Sequence, residues 1–209
     1  MYNKSFRLIA ATAAVLIGIF SCGTEPKVED GSKDIAMVRS MEHSELVKIG
    51  ENLITVGGCN DCHTPKKFDA NGMHFDSTRL LSGSPAGMPL PPFSTAALKH
   101  GNWIQMAPDV TAFVGPWGIS YAANLTPDSA TGMGGWTKEN FVGAMRTGQH
   151  MGLKGGRPIM PPMPWFNLAK LSDDDLSAIY AYLRSIPAIT NKVKDPIVPD
   201  EAAKMAALK

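Results

Sequence analysis

Residues 59–63 read Cys-Asn-Asp-Cys-His, two thiols and an imidazole within five consecutive positions. Three chemistries use a C-x-x-C pair: a redox dithiol, half of a zinc site, and thioether attachment of a porphyrin. Only the third also requires the histidine that follows. A zinc centre needs about four ligands, usually completed by a second Cys or His pair at similar spacing, and the chain has no such second pair. A redox dithiol should leave a strand and open a helix within a βαβ pattern. Cys59 instead follows a helical stretch, and His63 runs into Thr64-Pro65-Lys66-Lys67. The expected cofactor is therefore one covalent c-type haem, with Cys59 and Cys62 forming the thioethers and His63 facing the iron.

The iron's other axial position needs a side chain on a stiff segment that reaches the opposite face. With 12 Met and 5 His in the chain, counting does not choose it. The segment 157–165, Arg-Pro-Ile-Met-Pro-Pro-Met-Pro-Trp, fixes its backbone through proline and removes amides that would otherwise demand partners. It offers Met160 and Met163. A thioether is a soft ligand that favours reduced iron and raises the potential relative to a bis-histidine site. Of the other histidines, His150 remains a competing ligand, while His43, His74 and His100 are expected to stay off the iron. Arg157 matches a haem propionate, because a guanidinium meets a carboxylate with two parallel hydrogen bonds; an ordinary surface arginine is the competing reading. Lys66 and Lys67 suggest part of a docking rim, and Gly155-Gly156 reads as a turn rather than a phosphate loop.

Helices must position these groups. Before the motif, Ser-Glu-Leu-Val-Lys-Ile-Gly-Glu-Asn-Leu-Ile-Thr-Val (44–56) carries apolar residues at 46, 49, 53 and 54, with Gly50 notched into the same face to admit something bulky. A second helix is legible over 137–147, with Thr137 as cap, Trp136 and Phe141 as a hydrophobic staple, and Gly148 as the stop. The clearest helix follows Leu171: Ser172 is its cap, Asp175 completes a capping box, three aspartates complement the dipole, and Pro187 closes it. Leu176, Ile179, Tyr180 and Leu183 form its inward stripe, with Tyr182 beside it. Nothing reads as a sustained strand.

At 209 residues with 44% hydrophobic and 19% charged, the chain suits one globular domain with extra length at its ends. Its net charge of +1 gives no large basic field of the kind nucleic acid would need, so no nucleic-acid partner is expected. At the N-terminus Lys4 and Arg7 precede an apolar run over 8–20, shorter than the roughly 20 residues a spanning helix needs. The run ends at Ser21-Cys22-Gly23 and resembles a bacterial lipoprotein signal, which implies a signal peptide over 1–21 and acylation of Cys22. An ordinary signal with an incidental Cys22 is the alternative. Residues 22–41 are expected to form a polar tether holding the domain off a membrane.

Together these features resemble a class I monohaem cytochrome c. The stretches "YAANLTPDSATGMGGWTKENFVGAMRTG", "GRPIMPPMPW" and "LSDDDLSAIYAYLRSIP" are similar, more narrowly, to the cytochrome c domains that accept electrons from periplasmic alcohol, aldehyde and related dehydrogenases. The resemblance covers roughly 42–190 and leaves 191–209 as a C-terminal tail. It implies an all-α cytochrome c fold with the N- and C-terminal helices crossing around the haem, Gly50 receiving Tyr182 or Tyr180, and Met163 as the iron ligand. A long Gly- and Pro-rich insertion over 66–135 departs from a minimal member and reads either as an ordered cover over one haem edge or as a plain structural loop. The expected function is one-electron transfer, from a periplasmic dehydrogenase toward the respiratory chain through a cytochrome or oxidase. The implied setting is the bacterial cell envelope, facing the periplasm, lipid-anchored. A haem enzyme subunit with an open or labile sixth iron position, or a haem-based sensor, is the alternative.

Overall fold

The computed structural model describes residues 31–207 apart from residue 71, with side chains described from Glu42 onward. Cys22, the apolar run and the first part of the tether lie outside the described residues. Among the described residues six α-helices make the frame: α1 (Gly31–Val56), α2 (Cys59–His63), α3 (Lys138–Thr147), α4 (Trp165–Leu168), α5 (Asp173–Ser185) and α6 (Pro199–Ala207). Helix α1 reaches back to Gly31, into the stretch expected to be tether. Lys33, Ala36, Met37 and Arg39 are good helix formers, and they extend the helix nucleated further on.

Two helices begin as their sequences demand. The Thr137 and Asn140 side chains cap one another's backbone N–H at α3, and Ser172 and Asp175 do the same at α5. Each box satisfies amides that the first turn leaves without partners. At its far end α3 stops on Gly148, whose φ of 67° lies in the left-handed region that glycine enters without steric cost.

The core forms where α1 crosses α5 and α3 closes over them. Ile54 from α1 meets Leu176, Ile179 and Leu183 from α5, Phe141 and Met145 from α3, and Leu81 and Met133 from the intervening chain. At the crossing a Cβ on Gly50 would fall 2.0 Å from the Ala178 carbonyl oxygen and 2.8 Å from Tyr182 Cβ. The notch thus lets two backbones touch. It admits the root of Tyr182 and a carbonyl rather than an aromatic ring, because the helices are too close for a ring to enter.

The all-α expectation needs correction. Strands β1 (Lys66–Asp69) and β2 (Gly72–Phe75) form an antiparallel hairpin directly after the thiol motif, with Lys66 opposite Phe75. Strands β3 (Gln105–Met106), β4 (Ala112–Gly115) and β5 (Gly118–Tyr121) form a second sheet in the order β3-β4-β5. Each strand has four residues or fewer, too short for alternation of apolar and polar residues to show. A turn signal is legible between β4 and β5, in Gly115-Pro116-Trp117-Gly118.

The insertion has its own small core. Ala97, Val114 and Ile119 pack with Ala202 of α6, and Leu90, Phe93 and Ile197 flank them. Ile119 and Ile197 exchange backbone hydrogen bonds of 2.8 and 2.9 Å, so the chain end beyond 190 closes over the β4-β5 hairpin.

Candidate functional site

Helix α2 is one turn long and carries the whole thiol-imidazole motif. Gly58, with φ 65°, turns the chain out of α1 and into it. Cys59 and Cys62 are both partly buried and unpaired. Burial pushes the Cys59 thiol up to about 11 and raises that of Cys62 as well. A redox dithiol works the other way, with a thiol lowered so that the thiolate can attack.

His63 closes the turn and is 8% exposed. Its Nδ1 lies 2.8 Å from the Ala123 carbonyl. A carbonyl only accepts, so Nδ1 carries the proton and Nε2 keeps its lone pair. Burial holds the ring below its ordinary pKa, which keeps it neutral at neutral pH. The backbone is pinned too, since Gly83 N–H donates to the His63 carbonyl at 2.7 Å and Leu81 N–H donates to Thr64 Oγ1 at 2.8 Å.

The acceptor for His63 comes from within the insertion, and one polar network holds that segment. Asn124 accepts from Thr126 through Oδ1 and donates from Nδ2 to the Ile189 carbonyl at 2.8 Å. Asn191, 4% exposed, donates to the Ser82 and Ser84 carbonyls at 2.7 and 2.9 Å and accepts from Ala86 N–H at 2.9 Å. These contacts lock 82–86 and 122–126 on either side of His63. The insertion is ordered by these contacts and positions the acceptor for His63.

The proline segment is fastened to β5, the strand that leads into Ala123. Ser120 of β5 donates its hydroxyl to the Pro161 carbonyl at 2.5 Å. Ile159 N–H reaches the Gly148 carbonyl at 2.7 Å, and His150 N–H reaches the Arg157 carbonyl at 2.8 Å. Met160 and Met163 are both half-buried within this segment, and Met163 N–H turns back onto the Met160 carbonyl at 3.3 Å. One short run of chain thus ties the imidazole to the methionine segment, through Ser120 on one side and Ala123 on the other. Arg157 is exposed, with Nη1 3.5 Å from the Pro158 carbonyl. His150 stacks edge-on against Trp136 at 5.1 Å, which engages the competing imidazole. His43, His74 and His100 lie on the exposed surface.

The residues present fit a c-type haem. Two thiols on one turn, a neutral imidazole with its Nδ1 already satisfied, and an adjacent stiff thioether segment form the donor set the group requires. Two buried hydroxyls, of Ser82 beside the Gly83 that holds the His63 backbone and of Tyr121 at the end of β5, have no hydrogen-bond partner among the described residues. A buried hydroxyl without a partner costs about 1–3 kcal/mol, and a haem carboxylate is a group that would satisfy it. Among the described residues no three His, Cys, Asp or Glu side chains gather as a zinc site would require.

Comparison with known proteins finds cytochrome c subunits of dehydrogenases. The cytochrome c subunit of gluconate 2-dehydrogenase from Pantoea cypripedii is 28% identical over 165 residues, covering 78% of this chain and 29% of that protein. The cytochrome c subunit of the quinone alcohol dehydrogenase of Gluconobacter oxydans is 40% identical over 83 residues, 38% of this chain and 17% of that protein. The fructose dehydrogenase cytochrome subunit of Gluconobacter japonicus is 35% identical over 72 residues, 34% of this chain and 14% of its own. The chain spans less than a third of the length of these relatives. The Cytochrome c family model matches residues 47–187, a span that holds the Cys59-Cys62-His63 motif, and the chain therefore belongs to the cytochrome c family, in which the haem c is covalently bound.

Proposed function

We propose that the protein is a one-electron carrier, bonded to one haem through Cys59 and Cys62 and holding its iron between His63 and Met163. The observation that carries this reading is the buried His63 ring, with Nδ1–H committed to Ala123 so that Nε2 keeps its lone pair, on the same turn as two unpaired thiols. When bound, the haem supplies a one-electron iron couple whose potential depends on its axial ligands and burial. The chain's part is to hold still. The Ala123 carbonyl fixes the imidazole tautomer, Gly83 fixes the backbone behind it, and Ser120 with the prolines keeps the thioether segment from drifting. With His63 and Met163 both holding the iron, no place would be left on it for a substrate, which supports outer-sphere transfer. Met163 rather than Met160 is assigned from the resemblance of "PPMPW", and the engagement of His150 by Trp136 supports a sulfur ligand. Arg157 and the unpartnered Ser82 and Tyr121 hydroxyls are assigned to the haem propionates.

The names of the relatives support a dehydrogenase as electron donor, with a cytochrome or oxidase of the respiratory chain as acceptor. Contacts between such partners are small and transient. The sequence before residue 31 supports a periplasm-facing location with a lipid on Cys22 as membrane anchor.

The test is the purified holoprotein. Intact mass should show one added haem. The oxidised spectrum should carry the weak red band of methionine-ligated ferric haem, and the reduced form should not react promptly with carbon monoxide. Rapid carbon monoxide binding would replace this reading with an open iron site. Cys22→Ser should release the protein from membranes; continued membrane association would remove the anchor from the proposal.

A further inference from the structure

Lys66 is the first residue of β1 and its side chain turns inward, being 8% exposed. Its ammonium donates to the Asp61 carbonyl inside the attachment turn and sits 5.4 Å from the centre of the Phe75 ring. Both partners are uncharged. The neighbouring lysine behaves differently: Lys67 is exposed and pairs with Asp76 at 2.9 Å. Among the described residues no carboxylate is in ion-pair contact with Lys66. Asp109, 2% exposed, faces it electrostatically from the insertion, but its oxygens are taken by the Thr111 N–H and hydroxyl at 3.3 and 2.7 Å. Cys62 and the Asp61 carboxylate are further electrostatic neighbours of the ammonium, the carboxylate outside ion-pair contact. A cation taken out of water without a contact carboxylate is costly. A neutral side chain would cap the same carbonyl at less cost, so the charge itself calls for a use.

We propose that the fixed charge of Lys66, held against the thiol turn, raises the reduction potential of the haem. This inference rests on the haem reading above. Oxidised iron carries one more positive charge than reduced iron, so a nearby cation disfavours the oxidised form and biases the site toward taking an electron from the dehydrogenase. Burial strengthens the effect, because water and salt screen the field less than at the surface. Hydrogen bonding to the Asp61 carbonyl and the face of Phe75 fix where the charge sits, with the Asp109 and Asp61 carboxylates partly offsetting it.

The experiment is a spectroelectrochemical titration of the haem-loaded wild type and four variants, each checked by intact mass and spectrum for attached, methionine-ligated haem. Lys66→Met and Lys66→Gln should each lower the equilibrium constant for reduction roughly tenfold, equivalent to about 59 mV for one electron. Lys66→Arg should stay within about twofold of wild type. Asp109→Asn should raise the constant by about threefold, and it carries the test if the Lys66 variants do not accumulate. The lysine effect should persist at high salt. Lys66→Met and Lys66→Gln potentials within twofold of wild type, or a Lys66→Gln value at wild type while Lys66→Met falls, would overturn the inference, the second by showing that the hydrogen bond alone matters. A wild-type protein without haem would instead remove the haem reading itself.

Discussion

Gly50→Ala is the sharpest test of how the two end helices meet. The added Cβ would lie 2.0 Å from the Ala178 oxygen, 2.6 Å from its carbon and 2.8 Å from Tyr182 Cβ, whereas ordinary contact begins at 3.4 Å. α1 and α5 must therefore part by about 1.4 Å at the crossing, or bend around it. The obstacle is backbone, which cannot swing aside as a long side chain does. Parting the helices loosens the contacts of Ile54 with Leu176, Ile179 and Leu183. Overpacking of this kind costs about 1–3 kcal/mol, and a backbone clash belongs at the upper end. Alanine recovers about 1 kcal/mol through helix propensity. The net expectation is about 2 kcal/mol of destabilisation, or a melting temperature lower by roughly 4–8 °C for a domain of this size. Thermal and urea unfolding of the haem-loaded protein, followed by circular dichroism, would measure it. Gly87→Ala is the control, since a Cβ there meets nothing within 4 Å. A Gly50→Ala protein as stable as wild type would refute the close crossing.

Met163→Ala should abolish the methionine-ligation band and leave haem attached; if Met160→Ala does so instead, the ligand assignment moves to Met160. Asn191→Ala strands the Ser82 and Ser84 carbonyls in a buried setting and removes the acceptor of the Ala86 N–H, and should cost about 3 kcal/mol by urea unfolding; a loss under about 1 kcal/mol would show that the network is dispensable. Hydrogen bonding from Thr78, with Lys67 adjacent, holds the Asp76 carboxyl below the usual carboxylate range. A group depressed in the folded state adds stability above its unfolded value, near pH 4, and loses it as pH falls through the folded value. Asp76→Asn should therefore flatten the acid side of the stability profile relative to wild type, and parallel profiles would contradict this assignment.

Much of the frame could be read from local chemistry. The Cys59-Cys62-His63 spacing names its cofactor because thioether geometry is satisfied within one turn. Thr137, Ser172 and Asp175 announce helix starts, and Gly148 a stop, because caps act over three or four residues. The Leu176, Ile179 and Leu183 stripe is visible because helical period repeats along a single element. Gly50 signalled a close approach, though not that a carbonyl would fill it. What only the tertiary structure decided lies in pairings between distant, chemically ordinary groups. The partner of His63 is a backbone carbonyl at Ala123, and every residue has one, so composition cannot mark it. Asn191 binds 82–86 across more than 100 positions, and a single asparagine carries no periodicity. The β strands and the second core around Ile119 and Ala202 draw on segments too short to advertise themselves, and exist because chain ends and insertion bury each other. Lys66 and Lys67 are adjacent and identical in type, yet one is buried beside the thiols and the other lies in water. The pleat of β1 sends successive side chains to opposite faces, and only the folded neighbours determine which face is inside.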